Sequence, residues 1–315
     1  MKLKVVSTRR LTDAISELVF APGESGELAG YAPGAHVKFQ LPAGERSYSL
    51  IDFEARPGED NASRYCVAVQ LEPESTGGSR HMHELAPGDE VLVSAPANDF
   101  YLIPNKPALL VAGGIGITPM ISMATALAHE GTPFRFHYAS RTSAAMAYRE
   151  KLESAFGDQL TQHFDDQPET ALDLPGLAAS LSADEHVYVC GPKGLIEAVK
   201  SAMDTAGIGP DRIHFELFTS AAEQSGDVTF EVQVQSTGEV FEVPPGKSII
   251  DVLEAGGVDL VYDCQRGDCG ICQTDIIEGV PDHRDVVLSD SEKTEGKVMQ
   301  ICVSRAKSAR LVLDL

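Results

Sequence analysis

Cys264-Gln265-Arg266-Gly267-Asp268-Cys269-Gly270-Ile271-Cys272, joined much later by Cys302 in Met299-Gln300-Ile301-Cys302, sets four cysteines in the order C-x4-C-x2-C-x29-C. That is the spacing of a plant-type [2Fe–2S] cluster, which needs four thiolates. Three come from one tight loop, and Cys302 arrives from a separate segment to close the cage. Gly267 and Gly270 let the loop take positive φ angles and turn backbone N–H groups toward the sulfurs. Such N–H groups stabilise the added negative charge of a reduced cluster and tune its potential. Zinc sites usually repeat C-x2-C twice, and the chain has no second C-x2-C. Disulfides suit secreted chains, and no signal peptide is expected here. A centre that carries one electron at a time points to electron transfer.

Length and charge frame the rest. A chain of 315 residues fits two or three domains, and 43% apolar content is ordinary for a soluble globular protein. The net charge of −22 argues against nucleic acid as a partner. Six cysteines without a signal sequence read as thiols of a cytoplasmic protein. Pro107 to Ala128 holds no charged residue over 22 positions, long enough to span a bilayer. Its Gly113-Gly114-Ile115-Gly116-Ile117-Thr118-Pro119 would break a spanning helix, so it reads as strand, glycine turn and buried helix. No membrane association is expected.

Three blocks emerge. In residues 1–105, runs such as Lys2–Val6, Ile15–Phe20, His36–Gln40, Tyr65–Leu71 and Glu90–Ser94 alternate apolar and polar residues. Turns at Ala32-Pro33-Gly34, Arg56-Pro57-Gly58 and Ala86-Pro87-Gly88 separate them, as in a β-barrel or sandwich. Residues 106–218 alternate strand and helix: strands at Ala108–Ala112, Phe134–Ala139 and His186–Cys190, and helices over Pro119–Glu130, Ser143–Phe156 and Lys193–Ala206. That pattern predicts an α/β domain with a parallel sheet. Small polar residues 219–227 read as a linker. Residues 228–315 carry a hairpin (Val228–Gln235, Glu239–Val243), a helix beginning near Ser248, the cysteine loop and a final strand at Ala309–Leu313.

Three further motifs carry chemistry. The glycine turn 113–119 follows an apolar strand and opens a helix, where a dinucleotide pyrophosphate can approach a backbone that only glycine leaves bare. It is not G-x-G-x-x-G, which disfavours a Rossmann dehydrogenase. Thr76-Gly77-Gly78-Ser79 precedes a predicted helix and suits a phosphate, or is a plain turn with Ser79 as N-cap. Arg46-Ser47-Tyr48-Ser49 offers a guanidinium for a phosphate and a flat aromatic for a flat ring, or is an edge strand with an exposed Arg. His81 and His83 lack acidic or cysteine companions and are not read as a metal site. Cys66 reads as a structural thiol, as Cys190 would by itself.

With these motifs in this order, essentially the whole chain resembles the phthalate dioxygenase reductase group of the ferredoxin–NADP reductase superfamily. The resemblance implies an antiparallel β-barrel flavin domain, an α/β nicotinamide domain and a C-terminal β-grasp [2Fe–2S] ferredoxin domain. Arg46, Ser47, Tyr48 and Ser49 would hold the flavin: Arg46 would pair with its phosphate, Tyr48 would pack on the isoalloxazine, and Ser49 would sit near N5. Gly77, Gly78 and Ser79 would bind the phosphate of FMN, implied here rather than FAD. Gly113, Gly114, Gly116, Thr118 and Pro119 match the family's G-G-x-G-[IV]-T-P signature, and Cys190, Gly191 and Pro192 match its C-G-P. Ser49, Thr118 and Cys190 would position the hydride-transfer site. Phe215, with Phe218 as the alternative, would cover the flavin.

After the strand ending at Ser140-Arg141, the carboxylates of Asp165 and Asp166 suit free ribose hydroxyls and repel a 2′-phosphate. NADH is therefore expected over NADPH, although Arg141 argues the other way, and both aspartates would be equally at home in a solvated loop. NADH yields two electrons as a hydride, a cluster takes one, and a flavin can convert between them. By resemblance the acceptor is a Rieske-type non-haem iron oxygenase, served by a monomeric reductase. The last block has 16 acids against 8 Lys and Arg, and Asp263, Asp268 and Asp275 flank the cysteines. They could steer docking onto a basic patch, or simply keep the protein soluble. Four other readings stay open: a reductase for another acceptor, a ferredoxin-like carrier without nicotinamide activity, a direct flavin oxidoreductase with a vestigial cluster, and a non-enzymatic interaction module.

Overall fold

Period-two alternation turns the first hundred residues into strands with one face in a core. In the computed structural model, which describes residues 1–23, 26–54, 61–73, 77–218 and 226–315, these are β1 (Lys2–Arg10), β2 (Ile15–Pro22), β3 (Leu28–Ala29), β4 (His36–Leu41), β5 (Gly44–Ser49), β6 (Asn61–Ala62), β7 (Tyr65–Gln70) and β8 (Glu90–Val93), with α1 (Gly78–Glu84) before the last. Six pair antiparallel in the order β5-β4-β8-β1-β2-β7. Just beyond β5 the Ile51 N–H donates to the Cys66 carbonyl of β7 at 2.8 Å, which brings the two edges together as a barrel. Leu3, Phe20, Phe39, Tyr65 and Val67 fill the interior. Each such burial contributes about 1.5–3 kcal/mol. The expected Arg56-Pro57-Gly58 turn lies outside the described residues.

From Ala108 the pattern changes. β9 (Ala108–Gly113) is buried at every position, as a strand covered on both faces must be. It is followed by α2 (Ile117–Glu130), β10 (Phe134–Ser140), α3 (Arg149–Phe156), β11 (Leu160–Phe164), α4 (Leu174–Ala179), β12 (His186–Cys190), α5 (Lys193–Thr205) and β13 (Ile213–Glu216). The five strands run parallel in the order β11-β10-β9-β12-β13. Strand order reverses between β9 and β12, where an open α/β sheet leaves a crevice at its carboxyl end. The uncharged stretch from Pro107 is thus strand, turn and helix, and among the described residues no helix is long and apolar enough to cross a membrane. Both sheets lie within one unit, Met1–Glu216.

One expected helix is broken. Instead of a single helix over Ser143–Phe156 there is a 3-10 turn at Ser143–Ala145, capped by the Thr142 hydroxyl, and α3 begins only at Arg149. Tyr148 between them takes φ 59°, outside the helical region. Its ring packs against Phe53 of the barrel segment at 5.6 Å, a tertiary contact that local propensity cannot report.

The second unit, Leu217–Leu315, contains β14 (Phe230–Val234), β15 (Val240–Val243), α6 (Ile249–Ala255), β16 (Gln273–Glu278), β17 (Pro281–Asp282), α7 (Asp290–Glu295), β18 (Val298–Gln300), β19 (Arg305–Ala306) and β20 (Arg310–Leu313). Its main sheet runs β15-β14-β20-β16-β18, with first and last long strands parallel at its centre, a β-grasp arrangement. Ser248 starts α6 with a capping box to Asp251. Of the expected linker, residues 219–225 lie outside the described part. Asp227 is tied into the second unit by a bidentate pair with Arg284.

Candidate functional site

β5 displays Arg46, Ser47, Tyr48 and Ser49, with Ser47 exposed and Ser49 buried. The Tyr48 ring meets Phe39 edge-on at 5.5 Å, and burial pushes its phenol up to about 12. Arg46 lies against the start of α1: a Cβ on Gly78 would stand 2.9 Å from Arg46 Cγ and Nε. The guanidinium and the paired glycines, distant in sequence, therefore share one place. Gly77 holds the N-cap position with φ 112°, a conformation natural to glycine. Ser79 sits inside the helix, where its hydroxyl accepts from the Glu72 N–H at 3.2 Å, so the alternative that made Ser79 the cap is corrected. Thr76 lies outside the described residues. His83 bonds the Val69 carbonyl and lies 3.3 Å from the Ser16 hydroxyl. Cys66 is half-buried, and burial pushes its thiol up to about 12.

At the carboxyl edge of the parallel sheet, the turns after β9 and β12 interlock. A Cβ on Gly116 would lie 2.2 Å from the Cys190 carbonyl oxygen, and one on Gly191 would lie 3.0 Å from Gly113 Cα. A side chain on Gly113 would strike Leu195 and Pro192. Gly114 takes φ 55°, and Thr118 is buried with its hydroxyl donating to the Ile115 carbonyl at 3.1 Å. Pro119 occupies the first turn of α2, where its missing N–H costs nothing. Cys190 is fully buried. On the other side of β9, the Asp165 and Asp166 N–H groups donate to the Ser140 and Arg141 carbonyls at 3.1 and 3.3 Å. These loops leave Arg141 and Asp165 exposed together beyond β10 and β11. Phe215 lies within β13 opposite Val189, with the Lys200 ammonium 4.6 Å from its ring centre. Phe218 belongs to the second unit.

Two residues that position this edge escaped the sequence reading. Ser122 of α2 donates to the Leu50 carbonyl at 2.7 Å and accepts from the Asp52 N–H at 3.2 Å, fastening the stretch after β5 to the helix behind the glycine turn. Tyr138 donates to the Gly114 carbonyl at 3.0 Å and braces the turn itself. The only signal in sequence was a serine within an apolar helix face. A cleft of about 540 Å3 between the barrel and α3, bordered by Tyr31, Asp52, Arg64 and Lys151, contains none of the predicted flavin or nicotinamide residues.

The cysteine loop gathers its thiols. Cys302 stands close to both Cys264 and Cys272, and Cys269 stands close to Cys264. The nearby Cys302 lowers Cys264 to about 3 and lowers Cys272 as well, while Cys302 itself is driven up by the two. Among the described residues no three His, Cys, Asp or Glu groups close on a single ion. Gly267 and Gly270 have φ 81° and 79°, and a Cβ on Gly267 would stand 2.6 Å from Val303. The Arg266 N–H points at Cys264 Sγ at 3.3 Å. Four soft donors, a loop that glycine alone permits and a backbone N–H aimed at sulfur together fit an iron–sulfur cluster. One expectation is corrected here: Asp268 is not a surface charge available for steering. Its side chain is 4% exposed, accepts from the Leu217 N–H at 2.9 Å and lies 3.4 Å from Arg266. Burial, opposed by Arg266, lifts its carboxyl to about 7. Asp263 and Asp275 are exposed.

Comparison with known proteins matches this anatomy. A "2Fe-2S iron-sulfur cluster binding domain" matches residues 232–307, and an "Oxidoreductase NAD-binding domain" matches residues 110–201. Vanillate O-demethylase oxidoreductase from Pseudomonas putida is 41% identical over 296 residues, covering 92% of each chain. Tetrachlorobenzoquinone reductase from Sphingobium chlorophenolicum is 38% identical, over 99% of this chain and 97% of its own. The solved structure of phthalate dioxygenase reductase, described as modular for electron transfer from pyridine nucleotides to [2Fe–2S], superposes with a TM-score of 0.74 at 35% identity, covering 100% of this chain and 98% of the other.

Proposed function

Since this chain belongs to the phthalate dioxygenase reductase family, we propose that it is the reductase component of a two-component oxygenase, taking hydride from NADH onto FMN and delivering single electrons to a Rieske-type partner. The proposal assigns residues 1–105 to flavin, 106–218 to nicotinamide and 228–315 to the cluster, in a monomeric cytoplasmic protein. Bound FMN supplies the conversion between a hydride pair and single electrons, and the cluster supplies one-electron carriage.

The side chains then divide the work. Arg46 and the Gly77–Ser79 turn hold the flavin phosphate, charge against charge and N–H against oxygen. Tyr48 gives the ring system a flat face, and buried Ser49 offers a hydroxyl away from bulk water. The interlocked turns at Gly113–Pro119 and Cys190–Pro192 leave bare backbone for the pyrophosphate and orient the nicotinamide. Thr118 keeps the turn closed by bonding Ile115. Asp165, held beside Ser140 and Arg141, accepts from the adenine ribose. Phe215 or Phe218 covers the flavin when nicotinamide is absent. Cys264, Cys269, Cys272 and Cys302 ligate the irons, and no side chain must transfer a proton.

The observation that carries this reading is the meeting of the two glycine turns at the strand-order reversal, in a chain that also gathers four thiols. Anaerobic titration with NADH tests it. Flavin bleaching followed by a cluster EPR signal is expected, with released-flavin chromatography giving FMN and NADPH reacting more slowly. Protein loaded with both groups but inert to NADH would end the proposal. A second reading has support in the quinone-reductase relative: the acceptor is a quinone instead of an oxygenase. Faster NADH-dependent turnover with a benzoquinone than with any Rieske oxygenase would favour it.

A further inference from the structure

Beside the cysteine loop lies a polar group that the redox chemistry described so far does not use. Gln300, the last residue of β18, is completely buried, two positions before Cys302. Its side-chain amide stands 3.4 Å from Cys272 Sγ on one side and 3.2 Å from the Gln273 side chain on the other. Gln273 and Gln300 are cross-strand neighbours in the β16–β18 ladder, so backbone register sets this geometry.

We propose that Gln300 is a potential-setting residue: its amide donates a hydrogen bond to the Cys272 sulfur of the assembled cluster and stabilises the reduced state. With Cys272 as a free thiol, S–H donates and the Gln300 oxygen accepts. Iron binding removes that proton, because only the thiolate is a ligand. An amide oxygen would then face a negative sulfur, two acceptors in a buried space. Turning the amide half a revolution exchanges oxygen and nitrogen, which are nearly the same size, and presents N–H to sulfur. The Gln300 oxygen then accepts from Gln273, which is exposed and can turn its own amide in step. Every buried polar atom of the pair is satisfied in the ligated state without moving the backbone.

The sign follows from charge. Reduction adds one electron to the cluster and increases negative charge on its sulfurs, so a fixed donor favours the reduced form more than the oxidised one. Backbone donation at Arg266 serves a different sulfur, Cys264. Gln300 acts on Cys272, from the opposite strand. The inference rests on the cluster alone and not on the identity of the electron acceptor.

The test uses full-length holoprotein, reduced with dithionite and mediators at constant pH, so neither NADH nor a partner protein enters. Gln300→Met and Gln300→Leu remove the amide at similar volume, and iron and sulfide content confirms occupancy. Each variant is expected to show an equilibrium for cluster reduction about tenfold less favourable than wild type, equivalent to about 59 mV downward. A second measurement needs no variant to fold. Pulsed EPR of the reduced wild-type protein with glutamine labelled with 15N in its side chain should reveal coupling between that nitrogen and the cluster. Fully loaded variants titrating at the wild-type potential would overturn the proposal. Should both variants lose the cluster, the labelled wild-type decides, and absence of the coupling would overturn it equally.

Discussion

Replacing Gly116 with alanine isolates the interlock between the two glycine turns. Gly116 has an ordinary φ of −63°, so no backbone strain is introduced. The new Cβ would instead stand 2.2 Å from the Cys190 carbonyl oxygen, 2.4 Å from its carbon and 2.7 Å from the Gly191 nitrogen. These are backbone atoms between a fully buried strand and a helix, and they cannot swing aside as a side-chain tip could. To restore ordinary contact the turn must retreat by about 1.2 Å, an overpacking that costs about 1–3 kcal/mol. A displacement near 1 Å at a reacting centre costs about 10²-fold in rate. Stopped-flow reduction of the flavin by NADH should therefore slow by about that factor, while the cluster potential, set in the other unit, stays unchanged. Gly194→Ala provides the contrast. Its Cβ meets nothing within 4 Å and it lies in α5, so the same added methyl should stabilise by about 0.4–1 kcal/mol. Wild-type hydride-transfer rates in Gly116→Ala would refute the reasoning.

Other consequences are equally measurable. Asp227→Ala strips a buried partner from Arg284, the two side chains being 5% and 8% exposed. Asp282 still pairs with Arg284, so about 3 kcal/mol of the second unit's stability should go. Urea unfolding followed at the cluster's visible absorbance would show it, and an unmoved midpoint would contradict it. His137 and His163 stack with their nitrogens 3.0 Å apart, and burial, then the neighbouring ring, lowers His137 to about 4. The unfolded chain, titrating near 6.5, takes up a proton that the folded one resists. This contribution is thus complete above pH 6.5 and fades as pH falls toward 4. Thermal melts of the first unit should shift downward across that window, less so in His137→Gln; flat melts in wild type would dismiss the effect. Cys302→Ser should abolish the reduction-sensitive EPR signal while NADH still bleaches the flavin, and a retained cluster signal would remove Cys302 from the ligand set.

Much of this was readable in the chain, and for local reasons. The cysteine spacing, the glycine turn and the strands expected at Ala108–Ala112 and His186–Cys190 depend on short-range geometry and on continuous apolar runs. Ser248 announced α6 because a cap acts within three residues. The failures were non-local. The helix expected over Ser143–Phe156 breaks where Tyr148 is drawn to Phe53 of the barrel. Asp268, acidic and beside Cys269, looked like a surface charge until the fold buried it against Leu217 and Arg266. Ser122 and Gln300 matter only because a second strand or loop comes to meet them.

By itself the sequence determined that this protein carries thiolates at cluster spacing, a glycine turn fit for a pyrophosphate, and an order of strand-rich, alternating and cysteine-bearing blocks. Those are properties of neighbours along the chain, where φ preferences, side-chain period and donor chemistry are already present. Only the tertiary structure decided that Arg46 meets Gly78, that Gly116 leaves no room beside Cys190, and that Gln300 faces Cys272. Such contacts join residues far apart in the chain, and folding within the barrel, within the parallel sheet and within the β-grasp sheet, each by itself, is what brings them close.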